Sequence, residues 1–179
     1  LDLFRGGKNR GNEIHLIPLA NRPMDMANLQ KVIEAAPDYS LRCVGRPPKE
    51  GDAQAVFASL PPGKGNEDKF VWGIFCGDRM IGFMDVARGY PNPATAYIGL
   101  LLLSESEQRG GLGFRAYQLA EQQIRAWPGI QRIRLSVLRT NDRVLPFWRK
   151  CGFRETGEII PYTDESLTTE AILLEKTLD

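Results

Sequence analysis

Leu100-Leu101-Leu102-Leu103-Ser104-Glu105-Ser106-Glu107-Gln108-Arg109-Gly110-Gly111-Leu112-Gly113 is the stretch that decides the fold of this chain. An apolar strand, Ala94 to Leu103, runs into a polar, glycine-rich turn, and the turn opens a helix. The last six residues of the strand have no polar side chain, as expected of a central strand covered on both faces. Beyond the glycines, Leu112, Ala116, Leu119, Ala120, Gln123, Ile124 and Trp127 keep helical spacing until Pro128-Gly129 stops it. Glycines let main-chain N–H groups approach a ligand without side-chain obstruction. The first helical turn adds unsatisfied donors and the positive end of the helix dipole, a combination that binds phosphate. The same glycines could serve only to permit a tight strand-to-helix turn. No Gly-Lys-Ser/Thr follows, so this is not a Walker loop. A strand that comes after an antiparallel pair does not suit a dinucleotide-binding crossover either.

Working outward, Phe70 to Cys76 and Met80 to Arg88 flank Gly77-Asp78-Arg79, a turn of the kind that joins antiparallel strands. Gly89-Tyr90-Pro91-Asn92-Pro93 is a second turn. Upstream, Glu13 to Leu19 reads as a strand holding the single histidine, His15. Asp25 to Ala36 reads as a helix with Pro37 just beyond its end. Pro37 to Pro62 is rich in turns, with a short helix at Asp52 to Ser59 and Asp52 as its N-cap. Downstream, Ile130 to Leu138 alternates as a half-buried strand. Asn141 to Lys150 is a short helix whose Pro146 belongs near its first turn. Phe153 to Ile160 and Glu170 to Leu178 complete the strands. Residues 1–12 read as a flexible N-terminal arm. The predicted order is β-α-α-β-β-β-α-β-α-β-β over 13–179, one α/β (α+β) domain with a mixed sheet and helices on both faces.

Composition agrees with a single globular domain of 179 residues, 42 % hydrophobic and 25 % charged. Lys plus Arg number 23 against 22 for Asp plus Glu, a net charge of +1 that argues against a general nucleic-acid or membrane-surface binder. The longest apolar run, Ile98 to Leu103, is far short of the ~20 residues that span a bilayer, and no signal peptide opens the chain. Cys43, Cys76 and Cys151 are odd in number and widely spaced, which predicts buried or half-buried thiols in a reducing cytoplasm. One histidine offers no metal cluster, and none is expected.

Gln108-Arg109-Gly110-Gly111-Leu112-Gly113 resembles the Gln/Arg-x-x-Gly-x-Gly/Ala signature of the GCN5-related N-acetyltransferase (GNAT) family. Asn141 through Trp148 to Cys151-Gly152-Phe153 is similar to the family's Asn-…-Tyr-…-Gly-Phe segment. The element order fits over nearly the whole chain beyond the arm. The resemblance implies a mostly antiparallel twisted sheet whose fourth and fifth strands splay into a V-shaped slot for acetyl-CoA. Main-chain groups of Leu101 and Leu103 would pair with the pantetheine arm, with Ser136 and Val137 as the opposite wall. N–H groups from Arg109 through Gly110 and Gly111 to Gly113 would cradle the pyrophosphate. Gln108 and Arg109 would add side-chain donors, Arg109 or Arg115 would reach a phosphate oxygen, and Asn141 would bond the amide arm. The two leucines are equally readable as core.

By the same resemblance the reaction is acetyl transfer to an amine through a tetrahedral intermediate, which needs a proton acceptor and a donor for the thiolate. The chain departs from the family at both places. Trp148 stands where many members carry a tyrosine, and an indole N–H is too weak an acid to replace it. Tyr97 stands where some carry a glutamate, and a phenol with pKa near ~10 is a poor base, though it could order a water. The candidates for catalysis are therefore Tyr97, Asp85 and Trp148, beside Glu105, Tyr90 and a water relay. A non-catalytic acyl-CoA-binding or sensing module is the competing reading, favoured by Trp148. Loop residues Asp38, Tyr39, Tyr90, Tyr162, Asp164 and Glu165 would suit a cationic amine, whereas Arg42 and Arg46 would suit an acidic acceptor. An exposed edge strand would let two copies pair as a homodimer.

Overall fold

The computed structural model describes residues 13–179; the arm expected at 1–12 lies outside the described residues. Seven strands form one sheet in the order β1-β2-β3-β4-β5-β7-β6. They are β1 (Ile14–Pro18), β2 (Lys69–Cys76), β3 (Arg79–Arg88), β4 (Thr95–Leu103), β5 (Arg132–Leu138), β6 (Arg154–Asp164) and β7 (Leu167–Thr177). Every neighbouring pair is antiparallel except β4 and β5, which run parallel. The helices are α1 (Pro23–Glu34), α2 (Pro37–Cys43), α3 (Asp52–Ala58), α4 (Leu112–Arg125) and α5 (Leu145–Lys150).

Strand periodicity assigns the two faces. On one, Val71, Phe83 and Leu102 pack with Leu29, Val32 and Ile33 of α1 and Ala53 of α3. On the other, Met84, Ile98, Leu135 and Leu174 pack with Tyr117, Ala120 and Ile124 of α4 and Trp148 of α5. Helices therefore cover both faces of the sheet, and β4, with Ile98 on one side and Leu102 on the other, is the buried central strand its composition predicts. The β2–β3 hairpin turns through Gly77 and Asp78, as the Gly-Asp signal requires. His15 is a strand residue whose ring stacks on Phe75 at 5.9 Å.

Four local features differ from the sequence reading. Pro37 lies beyond the end of α1 as expected, but it also occupies the first turn of α2, a helix the sequence reading lacks, where its missing N–H costs nothing. Asp52 does not cap α3. Gly51, at φ +89°, is the cap residue, and the Asp52 carboxylate instead takes Arg46 at 2.8 Å and the Lys49 N–H at 2.8 Å. Arg139–Val144 is a 3-10 turn with Asn141 outside helical geometry, and Pro146 sits in the first turn of α5 proper. Finally, β6 and β7 form a longer hairpin than expected, so Tyr162 and Asp164 lie on a strand and only Glu165 and Ser166 turn. Polar side chains hid that extension because β6 is an exposed edge strand, without the burial that makes strand patterning visible.

Candidate active site

The parallel ladder between β4 and β5 covers only Thr95↔Arg132 to Ile98↔Leu135. Both strands continue, to Leu103 and Leu138, without pairing each other further. The cause is local. The β3–β4 register slips between Asp85 and Val86, which face Leu100 and Ile98, so Gly99 is an extra residue in β4. A one-residue bulge bends its strand and sharpens the twist, and here it turns the C-terminal half of β4 away from β5. The ladder edge of Gly99–Leu103 is left facing Ser136–Leu138 across a V-shaped slot. Main-chain donors and acceptors on such an edge want partners, and an extended amide-bearing ligand supplies them.

The slot ends at the glycine turn. Arg109 has φ +70° and Gly111 φ +79°, and Gly111 is the N-cap residue of α4. A Cβ placed on Gly110 or Gly111 would meet no atom within 4 Å. Open space over successive N–H groups at the N-terminus of a 14-residue helix is the kind of geometry that suits an anion. Gly113 is different: it packs close to the Phe147 ring, which brings α5 against α4. Gln108 does not point at the ligand side. Its Nε2 donates to the Leu103 carbonyl at 2.9 Å, shaping the turn. That bond also occupies the Leu103 carbonyl, leaving Leu101 as the stronger of the two leucines for pantetheine pairing.

The sheet face under α1–α3 carries the polar groups. Register places Lys69, Asp85, Tyr97, Arg134 and Ser136 on it. Asp85 and the Lys69 ammonium are 2.8 Å apart, and Lys69 also donates to the Ser59 carbonyl at 2.7 Å. The Asp85 carboxylate lies against the Gly99 bulge, 3.3 Å from where a Cβ would stand. Burial raises the pKa of Asp85, while Lys69 pulls it back. Tyr97 lies beside Ser136 at the divergence point and makes an edge contact with Tyr90 at 5.5 Å. Burial raises the Tyr97 phenol, so at neutral pH it is a hydrogen-bond donor and not a base.

Helix α2 straps this face. The Asp38 N–H donates to Glu105 Oε1 at 2.9 Å, tying α2 to the end of β4. Thr140 Oγ1 donates to the Arg42 carbonyl at 2.6 Å, and Arg143 pairs with Asp38, tying α2 to the end of β5. Glu105 is thus an exposed loop residue that also links α2 to the end of β4. Inside the strap, Cys43 bonds Tyr39 and Asn141, and burial pushes its thiol up to about 11, which leaves it protonated and inert. Burial also holds Tyr39 neutral, with Cys43, Tyr162 and Asp85 close enough to oppose its ionisation. Beyond α2, Gly45 (φ +81°) meets the β6–β7 turn so closely that a Cβ would stand 2.5 Å from the Ser166 carbonyl oxygen. Lys49 and Glu165 add an ion pair at 3.7 Å. This contact roofs the α1–α3 face.

Tyr97 and Leu101 lie on β4, Asp85 faces β4 at the bulge, Asn141 is buried in the turn after β5, and Arg109, Gly110 and Gly111 form the turn before α4. Trp148 goes elsewhere. Its indole is buried among the rings of Tyr117, Phe147 and Phe153, with centroids 6.0, 4.9 and 5.4 Å away, which makes it a core residue and no proton donor. Arg42 and Arg46 are held by Asp38 and Asp52, which weakens the case for an acidic acceptor. Lys69 and Gly45 escaped sequence reading because neither sits in a motif. Gly99, a glycine inside an apolar strand, did carry a bulge signal. Among the described residues no group of His, Cys, Asp and Glu could hold a metal, none of the three cysteines is in a disulfide, and no helix is long and apolar enough to cross a membrane.

A family model described as "Acetyltransferase (GNAT) family" matches residues 31–153. A search of curated proteins finds no match. Among solved structures, an acetyltransferase from Thermus thermophilus is 24 % identical with a TM-score of 0.68, over 92 % of this chain and 97 % of that one. A GNAT family acetyltransferase from Elizabethkingia anophelis with acetyl-CoA bound is 15 % identical with a TM-score of 0.63, over 93 % and 99 %. Arabidopsis thaliana NAA60 in complex with a bisubstrate analogue is 13 % identical with a TM-score of 0.65, over 93 % and 100 %.

Proposed function

Because the chain belongs to the GNAT acetyltransferase family, we propose that it moves an acetyl group from acetyl-CoA to the amine of a small-molecule acceptor by direct attack. The observation that carries this reading is the end of the β4–β5 ladder at Ile98↔Leu135, with the slot leading to the open amides of Gly110 and Gly111. Those amides would hold the diphosphate, the Gly99–Leu103 edge would align the pantetheine arm, and Asn141 would close the far side. Acetyl-CoA supplies a thioester; every other requirement falls on the protein's own residues.

Asp85 is the proton acceptor in this reading. It receives the proton that the acceptor nitrogen loses as the nitrogen–carbon bond forms and the carbon–sulfur bond breaks. The thiolate is protonated by water, and Tyr97, kept neutral by burial, donates a hydrogen bond at the divergence point. Tyr97→Phe should lower kcat about tenfold, the worth of one hydrogen bond of ~1–1.5 kcal/mol, with acetyl-CoA affinity unchanged. Equal turnover in the two proteins would remove Tyr97 from the mechanism.

The roof supports a compact acceptor. The close approach of Gly45 to Ser166 closes the end of α2 against the β6–β7 turn. The rings of Tyr39, Tyr90 and Tyr97 suit a cationic amine. Gly45→Ala would strain a left-handed residue and push the β6–β7 turn outward. Its expected effect is a severalfold change in acceptor KM with the acetyl-CoA Kd preserved, measured by steady-state kinetics and calorimetry. Thiols outside disulfides and a CoA cosubstrate fit a cytoplasmic setting.

The test is CoA release measured across a panel of small amines and peptides. Release with a small amine, and none with peptides, is the expected outcome. A second reading, a non-catalytic acyl-CoA-binding module, is favoured by Trp148 in place of a tyrosine; release with any amine ends it.

A further inference from the structure

The Lys69–Asp85 pair is unusual in its cost. The Lys69 side chain is 7 % exposed and that of Asp85 18 %. Burying an ion pair is often no more stable than packing apolar side chains in the same space. Stability alone therefore gives little reason for a lysine here. Its partners across the sheet are apolar: Lys69 faces Ala87 across the β2–β3 ladder, and Asp85 faces Val71 and Leu100. The ammonium is fixed from two sides, by the Ser59 carbonyl at 2.7 Å after α3 and by Asp85 Oδ2 at 2.8 Å. This is a clamp with a defined direction. It holds the carboxylate against Gly99, the residue at which β4 leaves β5.

We propose that Lys69 is a positioning residue for acetyl transfer: its buried ammonium, anchored on Ser59, holds Asp85 aimed at the Gly99 bulge, where the acceptor nitrogen gives up its proton. The inference rests on the acetyl-transfer reading above. It deepens that reading by naming the residue that orients the proton acceptor. The groups that face Asp85 are few. Lys69 comes from β2 and the Tyr39 phenol from α2, α3 ends in the Ser59 carbonyl, and β4 presents Gly99 and Leu100. Its neighbours on β3 at the same face, Phe83 and Ala87, are apolar. Tyr39 is held neutral, so Lys69 is the charge that opposes the effect of burial on the carboxylate.

The sign follows. A proton acceptor works only when deprotonated, so kcat/KM falls on the acid side as Asp85 protonates. Without the Lys69 charge, burial acts unopposed and Asp85 protonates at higher pH. The experiment compares pH profiles of kcat/KM for the wild type, Lys69→Gln, Lys69→Met and Lys69→Arg with one reactive amine. The acceptor's own titration is common to all four, so the difference between proteins is what is read. Lys69→Gln keeps hydrogen-bonding groups for Ser59 and Asp85 and guards against a failure of Lys69→Met to fold; the acetyl-CoA thermal shift verifies folding in each. The expected result is an acid limb displaced upward by about one pH unit or more in Lys69→Gln and Lys69→Met, and returned toward the wild-type position in Lys69→Arg. A folded Lys69→Gln that loses turnover while its acid limb stays in place would make the pair merely structural and overturn the proposal. Failure of the wild type to release CoA with any amine would instead overturn the acetyl-transfer reading itself.

Discussion

Gly111→Asp should abolish the rise in melting temperature that acetyl-CoA produces, while the protein still folds. With ligand at about 100 times Kd, binding adds ~2.7 kcal/mol to stability, roughly 5–10 °C for a domain of this size. Gly111 caps α4 at φ +79° with nothing within 4 Å of a would-be Cβ, so an aspartate fits without a clash. The left-handed conformation costs a non-glycine residue about 1–2 kcal/mol, least for Asp and Asn. The carboxylate would then occupy the space over the amides and repel the diphosphate. Gly111→Asn carries the same backbone cost without the charge and should keep part of the shift. An undiminished shift in Gly111→Asp would mean that the diphosphate binds elsewhere.

Asp85→Asn should lower kcat by ~10²–10⁴-fold, the usual contribution of a positioned general base. Acetyl-CoA affinity should be preserved, because the carboxylate lies on the α1–α3 face and not at the glycine turn. The variant should also melt earlier. It leaves the Lys69 ammonium, 7 % exposed, without its counter-charge, and breaking a buried pair costs up to about 3–5 kcal/mol. Kinetics at a temperature well below the variant's melting point separate the two effects. A kcat within twofold of wild type would remove Asp85 from proton transfer.

What sequence could reveal here follows from the range of the interactions involved. The central strand, the glycine turn and α4 were legible because each depends on neighbours within a few residues: an apolar run, glycines at fixed offsets, helical spacing from Leu112 to Ile124. The GNAT likeness added the V-shaped slot, which the ladder's end at Ile98 bears out. The acceptor face was mostly hidden. Lys69 meets Asp85 across a hairpin, Gly45 meets Ser166 from the far end of the chain, and Thr140 bonds Arg42 across the slot, separations that no local pattern encodes. Helix α2 was missed for a different reason: Pro37 reads equally as a stop for one helix and a start for the next. Glu105 is the exposed turn residue that its sequence suggests, but nothing local shows the Asp38 N–H it accepts from. Trp148 shows the converse. It holds a functional position in the family's motif, but packing against Tyr117 and Phe153 decides what it does in this chain.

A crystal structure of the protein with acetyl-CoA tests the central claim most directly. The account predicts the diphosphate within hydrogen-bond distance of the amides between Arg109 and Gly113, the pantetheine arm running beside Gly99–Leu103, and the thioester next to Asp85. A diphosphate bound away from α4, or β4 and β5 closed against each other beyond Ile98 and Leu135, would contradict it.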